Sequence, residues 1–418
     1  MDPAYCFRHF MRLAPLLAIM IGAGCSPRVD TPQVGVYRAV LRLPGGDTPF
    51  GFEVAQEQQQ YVLYLTNDTE RTRVSNVKIA DGELTAVFPG YENSLRATMR
   101  RDRIEGDVTL IKAGGKEQVI PFAAKLGETY RFYRDAATDN ADVDGTWAAT
   151  FTDDDGKTSQ ALLLLKQRHD RVTGTVMTPT GDHRFLEGQM RGDELQLSTF
   201  AGGLAYLYKL HVDARGGLEG EYWQGLASHE KVAAQRNDAA TLDGAGKQTT
   251  MLDAAQPLNF TFPDLDGKPV SLSDPQFRGK VVLVTLGGTW CPNCHDEAKF
   301  LAPFYREYRE RGFEIIALMF ERHGEFEKAA RAVRGYRQDL SIEFPTLIAG
   351  LSETDAASKA LPMLNAVYGY PTAILLNRNG RVFSIHTGFA GPATGRHYAE
   401  HVKEFRDEVE QLLAQATG

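Results

Sequence analysis

A pair of cysteines at the start of a predicted helix constrains this chain more than any other feature. Cys291 and Cys294 are separated by two residues and end the stretch Gly-Thr-Trp-Cys-Pro-Asn-Cys. The apolar run 281–286 predicts a buried strand before them, and the polar segment 296–311 predicts a helix after them. Cysteines in the first helical turn can close and reopen a disulfide with little backbone movement, and the helix N-terminus favours a thiolate. The pattern therefore predicts a redox-active dithiol.

Composition limits what the rest of the chain can be. Its 418 residues predict two or three domains, and 43% hydrophobic and 24% charged residues are typical of a globular protein. A net charge of -8 argues against a nucleic-acid partner, which would favour a basic surface. The other cysteines are Cys6 and Cys25, and none lies between Cys25 and Cys291. The middle of the chain is therefore not a disulfide-stapled scaffold.

The first 25 residues have the pattern of a bacterial export signal. A basic segment with Arg8, His9 and Arg12 comes first. An apolar stretch, residues 13–21, follows it, and the small residues Gly22-Ala23-Gly24 come last. Small residues directly before Cys25 resemble a lipoprotein processing site, so we expect a lipid on Cys25 and anchoring to a membrane of the cell envelope. Ser26 resembles a residue that permits sorting to an outer membrane. Secretion without a lipid and an uncleaved anchor are the alternatives.

Residues 35–235 have the pattern of an all-β region. Short alternating segments are separated by turn signals, without a strong helical period, which favours a sandwich or barrel. A weak repeat, offset by roughly 110 residues, links three pairs of stretches: 35–40 with 145–150, 81–84 with 192–195, and 103–107 with 217–221. We therefore predict two copies of a β unit, at 35–140 and 145–235. A linker rich in Asp, Ala, Gly and Thr, 236–256, is expected to be exposed.

Residues 257–418 alternate between strand and helix patterns, which predicts an α/β domain with a mixed sheet. Helices are expected at 291–311, 325–338, 353–367 and 396–416. The predicted fold class is thus multidomain, with a duplicated all-β region followed by an α/β domain.

This last domain resembles the thioredoxin fold and, within it, the TlpA-like and ResA-like thiol–disulfide oxidoreductases. The resemblance covers 257–413 and rests on four features. They are the strand before Trp290-Cys291-x-x-Cys294, Glu297 three residues later, Gly369-Tyr370-Pro371-Thr372 before a strand, and the Asn379-Gly380 hairpin. The resemblance implies a disulfide reductase on the periplasmic side of a membrane. This sequence departs from the family pattern at two places. Thr285 stands where many relatives have an acid or amide, and Gly287-Gly288 stands where a bulky residue is common, which suggests an open space behind the dithiol.

The resemblance also assigns roles to the cysteines. Cys291 is expected to be the exposed nucleophile that attacks a substrate disulfide, and the more buried Cys294 to resolve the mixed disulfide. Glu297 is expected to relay a proton or tune Cys294. The alternative is that Glu297 is an ordinary carboxylate in the first turn of a helix.

Substrate docking is expected at Trp290, Pro292, Tyr370 and Pro371. Pro292 suits the first helical turn, and Pro371 would be a cis-proline whose loop offers backbone groups to an extended substrate. No metal and no cofactor beyond the cysteine pair are expected. The implied partners are exported proteins that contain disulfides and a membrane thiol-transfer protein as electron donor.

Other functions fit the same residues. A disulfide oxidase or isomerase would use the same dithiol in the opposite direction. A peroxiredoxin-like peroxidase is disfavoured because Gly288, not Thr, lies three residues before Cys291. A binding protein built on the β region, with a minor redox role, also remains, as does a purely structural disulfide. Zinc is disfavoured because the chain has no second cysteine pair and His295 alone does not complete a site.

Overall fold

The structure is a computed structural model that describes residues 30–135, 139–242, 244, 246–353 and 355–415. The predicted export signal, with Cys6, Cys25 and Ser26, lies outside these residues. Within the described chain, two antiparallel sheets are followed by a mixed sheet with helices on its faces. This confirms the predicted fold class, a duplicated all-β region before an α/β domain. No helix in the described part of the chain has the length and apolar character to cross a bilayer.

The first sheet is an antiparallel meander. Its strands, in chain order, are β1 (Gly35–Leu43), β2 (Gly46–Glu57), β3 (Gln60–Asn67), β4 (Glu70–Val74), β5 (Asn76–Ala80), β6 (Glu83–Val87), β7 (Ser94–Met99), β8 (Arg103–Ile111) and β9 (Glu117–Leu126). Their order across the sheet is β4-β3-β2-β1-β9-β8-β7-β6-β5. Side chains of alternating residues, such as Phe50, Phe52 and Val54 on β2, enter one core because successive strand residues point to opposite faces.

The second sheet closes on itself. Its strands are β10 (Gly145–Asp153), β11 (Thr158–Arg168), β12 (Arg171–Thr178), β13 (Gly181–Asp182), β14 (Leu186–Arg191), β15 (Glu194–Phe200), β16 (Ala205–Val212), β17 (Leu218–Gln224) and β18 (Ser228–Arg236). The order is β11-β10-β18-β17-β16-β15-β14-β12-β13, and an extra pairing of β11 with β12 completes a barrel. Among the described strands, the two-residue strand β13 pairs with β12 alone, at the end of β12.

The predicted repeat corresponds to equivalent positions in the two sheets. Gly35 and Gly145 begin the first strand of each sheet, and both have positive φ (151° and 118°), which favours glycine. The turns at 81–82 and 192–193 precede the sixth strand of each sheet. The two sheets also share a core, since Phe200 of β15 lies 5.2 Å, ring to ring, from Phe50 of β2.

The α/β domain is built on a central apolar strand. Its elements are β19 (Thr261–Pro263), β20 (Pro269–Ser271), β21 (Val281–Gly287), α1 (Pro292–Tyr308), β22 (Phe313–Glu321), α2 (Phe326–Asp339), β23 (Thr346–Leu351), α3 (Ala356–Ala360), β24 (Thr372–Leu376), β25 (Val382–Thr387) and α4 (Arg396–Ala414). The sheet order is β23-β22-β21-β24-β25. Strands β21, β22 and β23 are parallel, whereas β24 and β25 run antiparallel to their neighbours. Every residue of β21 is buried, because both faces of the sheet are covered.

One expectation about this part of the chain is wrong, and a second holds for most but not all of its residues. The helix expected at 353–367 is only Ala356–Ala360, since Pro362 disfavours helical geometry at the residue before it. Most described residues of the segment 236–256 are exposed, as expected, but Thr249 and Met251 are not. Thr249 is buried, and its N–H donates to Thr387 Oγ1 at 3.1 Å, while Met251 forms a bridge with Leu364. The end of this segment therefore packs on the α/β domain.

Candidate active site

The two cysteines lie where β21 ends and α1 begins. They form a disulfide, with their Cα atoms 5.2 Å apart. Cys291 is the N-cap residue of α1, and Pro292 occupies the first helical position, where no N–H is needed. The Cys294 N–H donates to Cys291 Sγ at 3.2 Å. After reduction, this N–H and the helix N-terminus would stabilise a thiolate at Cys291.

The structure brings the expected docking residues around Cys291. The Tyr370–Pro371 peptide bond is cis, and the Tyr370 carbonyl oxygen lies 3.6 Å from Cys291 Sγ. The Trp290 ring packs edge-on against Tyr370 at 5.7 Å, and its indole N–H donates to the Phe320 carbonyl at 2.8 Å. Pro292 is buried in the first turn of α1. Their roles in docking stay predictions.

The departure at Gly288 has a steric reason. A methyl group on Gly288 would lie 2.3 Å from the Trp290 indole nitrogen and 2.6 Å from the Phe320 carbonyl oxygen. Glycine at this position therefore allows the hydrogen bond that fixes Trp290 beside the disulfide.

We expect Gly288→Ala to lower the free energy of unfolding by about 1–3 kcal/mol, as overpacking does, and to change the Trp290 fluorescence. Denaturant titration followed by tryptophan fluorescence measures both. Gly335→Ala is the matched control, because a methyl group there has open space within 4 Å. Since Gly335 lies inside α2, this control should gain up to about 1 kcal/mol. Equal behaviour of the two variants would contradict the steric account.

The expectation that Cys291 is exposed is wrong in this structure. The relative exposure of Cys291 is 4%, the same as that of Cys294. The reason is that the β12–β13 turn lies against Asn293, between the cysteines, and against Gly369, which precedes Tyr370. The expected difference in burial between the two cysteines is therefore absent from this conformation.

Glu297 lies behind the disulfide and is buried. Its carboxylate accepts a hydrogen bond from the Thr285 hydroxyl at 2.6 Å. Burial raises the pKa of Glu297 to about 7, against the lowering effect of the Thr285 hydrogen bond. Glu297 and Cys294 line one cavity of about 20 Å³, which has room for about one water molecule. The space behind the dithiol is therefore small. Cys294 shares it with Glu297, a carboxyl group of near-neutral pKa.

Glu297→Gln is expected to stabilise the protein progressively as pH rises above about 4.5, with the full effect above pH 7. Because the folded-state pKa (about 7) exceeds the ordinary 4.5, the folded protein retains a proton that the unfolded chain has lost. The stability contributed by this carboxyl group therefore falls as pH rises from 4.5 to 7, by about 3 kcal/mol in all. Since glutamine does not titrate, the variant should be more stable than the parent by this amount at pH 8 and similar to it at pH 4.

Chemical denaturation at several pH values tests this result. The control is Glu310→Gln, just beyond α1, whose side chain is 89% exposed. This control should leave the pH dependence unchanged. A difference between the Glu297 variant and the parent that is independent of pH would show that Glu297 does not titrate in this range.

Glu321 is a second buried carboxyl group, and the sequence reading missed it. It ends β22 and accepts hydrogen bonds from the Thr289 N–H at 3.0 Å and the Thr289 hydroxyl at 2.7 Å. Burial raises its pKa to about 7, against these hydrogen bonds. The signal available in the sequence was a charged residue at the end of an apolar strand. Since β21 and β22 are parallel neighbours, their carboxyl ends lie at the same edge of the sheet. Glu321 thus holds the loop that carries Trp290.

Residues from both β sheets contact α1. Arg184, which follows β13, donates to the Pro292 carbonyl at 3.1 Å and to Asp296 Oδ2 at 2.7 Å, and it also pairs with Glu70 of β4. Arg184, Glu70 and Asp296 are all buried, with side-chain exposures of 8%, 8% and 6%. No local sequence pattern indicated this network, because its members are more than 100 residues apart.

His295 is buried and makes a ring contact and a hydrogen bond within the protein. Its ring stacks on that of Tyr91, in the loop between β6 and β7, with 3.8 Å between the ring centres, and its Nε2 donates to the Thr289 carbonyl at 2.7 Å. Burial lowers its pKa well below the usual value. In the described part of the chain, no three His, Cys, Asp or Glu side chains are placed to hold a metal ion.

Comparison with known proteins agrees with this site. A family model described as Redoxin matches residues 252–400. The thiol-disulfide oxidoreductase ResA of Bacillus thuringiensis subsp. konkukian is 30% identical over 146 residues, which are 35% of this chain and 74% of the relative. ResA of Halalkalibacterium halodurans is 32% identical over 136 residues, 32% of this chain and 67% of the relative.

Among solved structures, a thiol:disulfide interchange protein of the thioredoxin family from Chlorobium tepidum is 22% identical. The alignment covers 38% of this chain and 99% of that one, with a TM-score of 0.29.

The C-terminal domain and its cysteine pair define a thioredoxin-fold oxidoreductase. Within that class, the chain belongs to the ResA-like thiol–disulfide oxidoreductases. It is therefore an enzyme of thiol–disulfide exchange that acts on disulfide substrates.

Proposed function

We propose that this enzyme reduces disulfides of exported proteins outside the cytoplasm. The observation that carries the proposal is the position of Cys291 Sγ, 3.6 Å from the Tyr370 carbonyl and at the N-terminus of α1. A substrate that pairs with the backbone of the loop at Tyr370 and Pro371 would present its disulfide to Cys291.

In the proposed reaction, the enzyme begins as a dithiol. The Cys291 thiolate attacks one substrate sulfur, the substrate S–S bond breaks, and the leaving thiolate takes a proton from solvent. Cys294 then loses its proton and attacks Cys291 Sγ, which breaks the mixed disulfide and forms the Cys291–Cys294 disulfide. The second substrate sulfur leaves as a thiolate and takes a proton from solvent. Two electrons and two protons thus pass to the substrate.

Glu297 is the proposed acceptor of the Cys294 proton. It lines the same small cavity as Cys294, and burial raises its pKa to about 7. A carboxylate with this pKa can accept a proton from a thiol near neutral pH and return it afterwards. Thr285 holds the carboxylate in place but cannot take this role itself.

The cycle requires a source of electrons, because each turnover leaves the enzyme oxidised. We propose a membrane thiol-transfer protein as the donor, and a lipid on Cys25 as the anchor that keeps the enzyme near it. Residues 35–140 and 145–235 are the proposed β domains, and 257–418 the proposed catalytic domain. The export pattern of the first 25 residues supports the proposed location in the cell envelope.

Reduction of insulin tests the proposed direction. The pre-reduced enzyme, freed of reductant, should convert one insulin disulfide per dithiol and end as the Cys291–Cys294 disulfide. The oxidised enzyme should fail to oxidise reduced, unfolded ribonuclease at a comparable rate. Fast oxidation of ribonuclease without reduction of insulin would overturn the proposal in favour of an oxidase.

A further inference from the structure

The turn between β12 and β13 lies against the residue pair between the two cysteines. A methyl group on Gly181 would lie 1.8 Å from an end atom of the Asn293 side-chain amide, so the turn lies directly against this side chain. The Asn293 amide also pairs with the backbone of Asp182, donating to its carbonyl at 3.0 Å and accepting from its N–H at 2.7 Å. The turn thus makes contacts of the kind that an extended peptide would make.

The same turn also contacts the two loops that flank Cys291. A methyl group on Gly369 would lie 2.8 Å from both Cβ and Cγ2 of Thr180. A methyl group on Gly388, whose N–H donates to the Pro371 carbonyl at 2.6 Å, would lie 2.4 Å from the Thr180 carbonyl carbon. These spacings leave no room for a second chain between the turn and the loop at Tyr370.

Polar contacts hold the turn in this position. Asp182 Oδ2 accepts a hydrogen bond from the Gly391 N–H at 2.6 Å. Arg184 pairs with Asp296 of α1 and donates to the Pro292 carbonyl. Among the described strands, β13 pairs only with the end of β12, at Asp182 with Met177 and Gly181 with Thr178, whereas β12 also pairs with β11 and β14. The barrel can therefore keep its pairing when these contacts break.

We propose that residues 178–182 form a cap that closes the substrate-docking face, and that a protein disulfide reaches Cys291 only after this cap leaves. The inference rests on the proposed function, because it assumes that protein substrates dock at the loop of Tyr370 and Pro371. It accounts for the low exposure of Cys291, which an enzyme acting on proteins must overcome. A small-molecule disulfide contacts less of the docking face than a protein does, so its rate of reduction should depend less on whether the cap is closed.

A pair of substitutions in the full chain tests the cap. Gly369→Ala pushes on Thr180 from the catalytic domain and avoids the ionic contacts. We expect it to raise the rate of insulin reduction about tenfold, because that rate scales with the open fraction. Reduction of bis(2-hydroxyethyl) disulfide should change less than about twofold. Adding Thr180→Gly removes the clashing atoms, so the double variant should return to the parental insulin rate.

A second measurement does not depend on that variant. In the Cys294→Ser protein, Cys291 is trapped in a mixed disulfide with insulin, and amide hydrogen exchange is compared with that of the free protein. The amides of 178–184 should exchange faster in the mixed disulfide. Unchanged exchange there would overturn the inference, and so would equal insulin rates in the parent and Gly369→Ala. If neither protein reduces insulin, the proposed function falls and the inference falls with it.

Discussion

Replacing Cys291 by serine should lower the rate of insulin reduction by at least about 10³-fold, since the serine hydroxyl is not ionised at neutral pH and cannot form the mixed disulfide. The fold should persist, because Cys291 is small and its N-cap role suits serine. Turbidity of the released insulin chain, corrected for the reductant alone, measures the rate.

Cys294→Ser is the matched control for this variant. It retains the attacking thiol, whose thiolate is favoured by the helix N-terminus, but cannot resolve the intermediate. It should therefore accumulate a mixed disulfide with insulin that is visible by mass, whereas Cys291→Ser should show none. Mixed disulfide on Cys294 in the Cys291 variant would reverse the assignment of the two cysteines.

Arg184→Ala should destabilise the protein by about 3–5 kcal/mol, because it leaves Glu70 buried without its counter-charge and leaves buried Asp296 with the more distant Lys299, at 3.6 Å. The matched control is Arg96→Ala, which removes an ion pair with Glu83 on the first sheet. Arg96 is 75% exposed, so this change should cost less than about 1 kcal/mol. Chemical denaturation of both variants makes the comparison, and similar losses in the two would show that the Arg184 network is not stabilising.

The catalytic domain was largely predictable because its signals are local. A wholly apolar strand, a helix that begins at the cysteines and a proline before β24 each lie within a short window of sequence. The helical region that begins with α1 ends at Arg311, as the predicted helix at 291–311 does, and Gly312 follows it with φ of 90°. The end of α3 was also predictable, since Pro362 disfavours helical geometry at the residue before it, yet the helix predicted at 353–367 extends past this proline.

What the sequence did not indicate depends on contacts between distant segments. Arg184 and Asp296 are joined through the packing of the barrel on α1, and no periodicity links their positions. The burial of Cys291 has the same origin, because the covering turn belongs to another sheet. Local patterns therefore predicted the chemistry of the site but not its accessibility.

The reduction potential of the Cys291–Cys294 couple tests the central claim most directly. It is measured in the chain that begins at residue 26, by equilibration with glutathione or dithiothreitol buffers and quantification of free thiols. A reductase should have a value near or below about -250 mV, which places it with the reducing members of its fold. A value between about -120 and -180 mV would place the protein with oxidants and isomerases and would contradict the account.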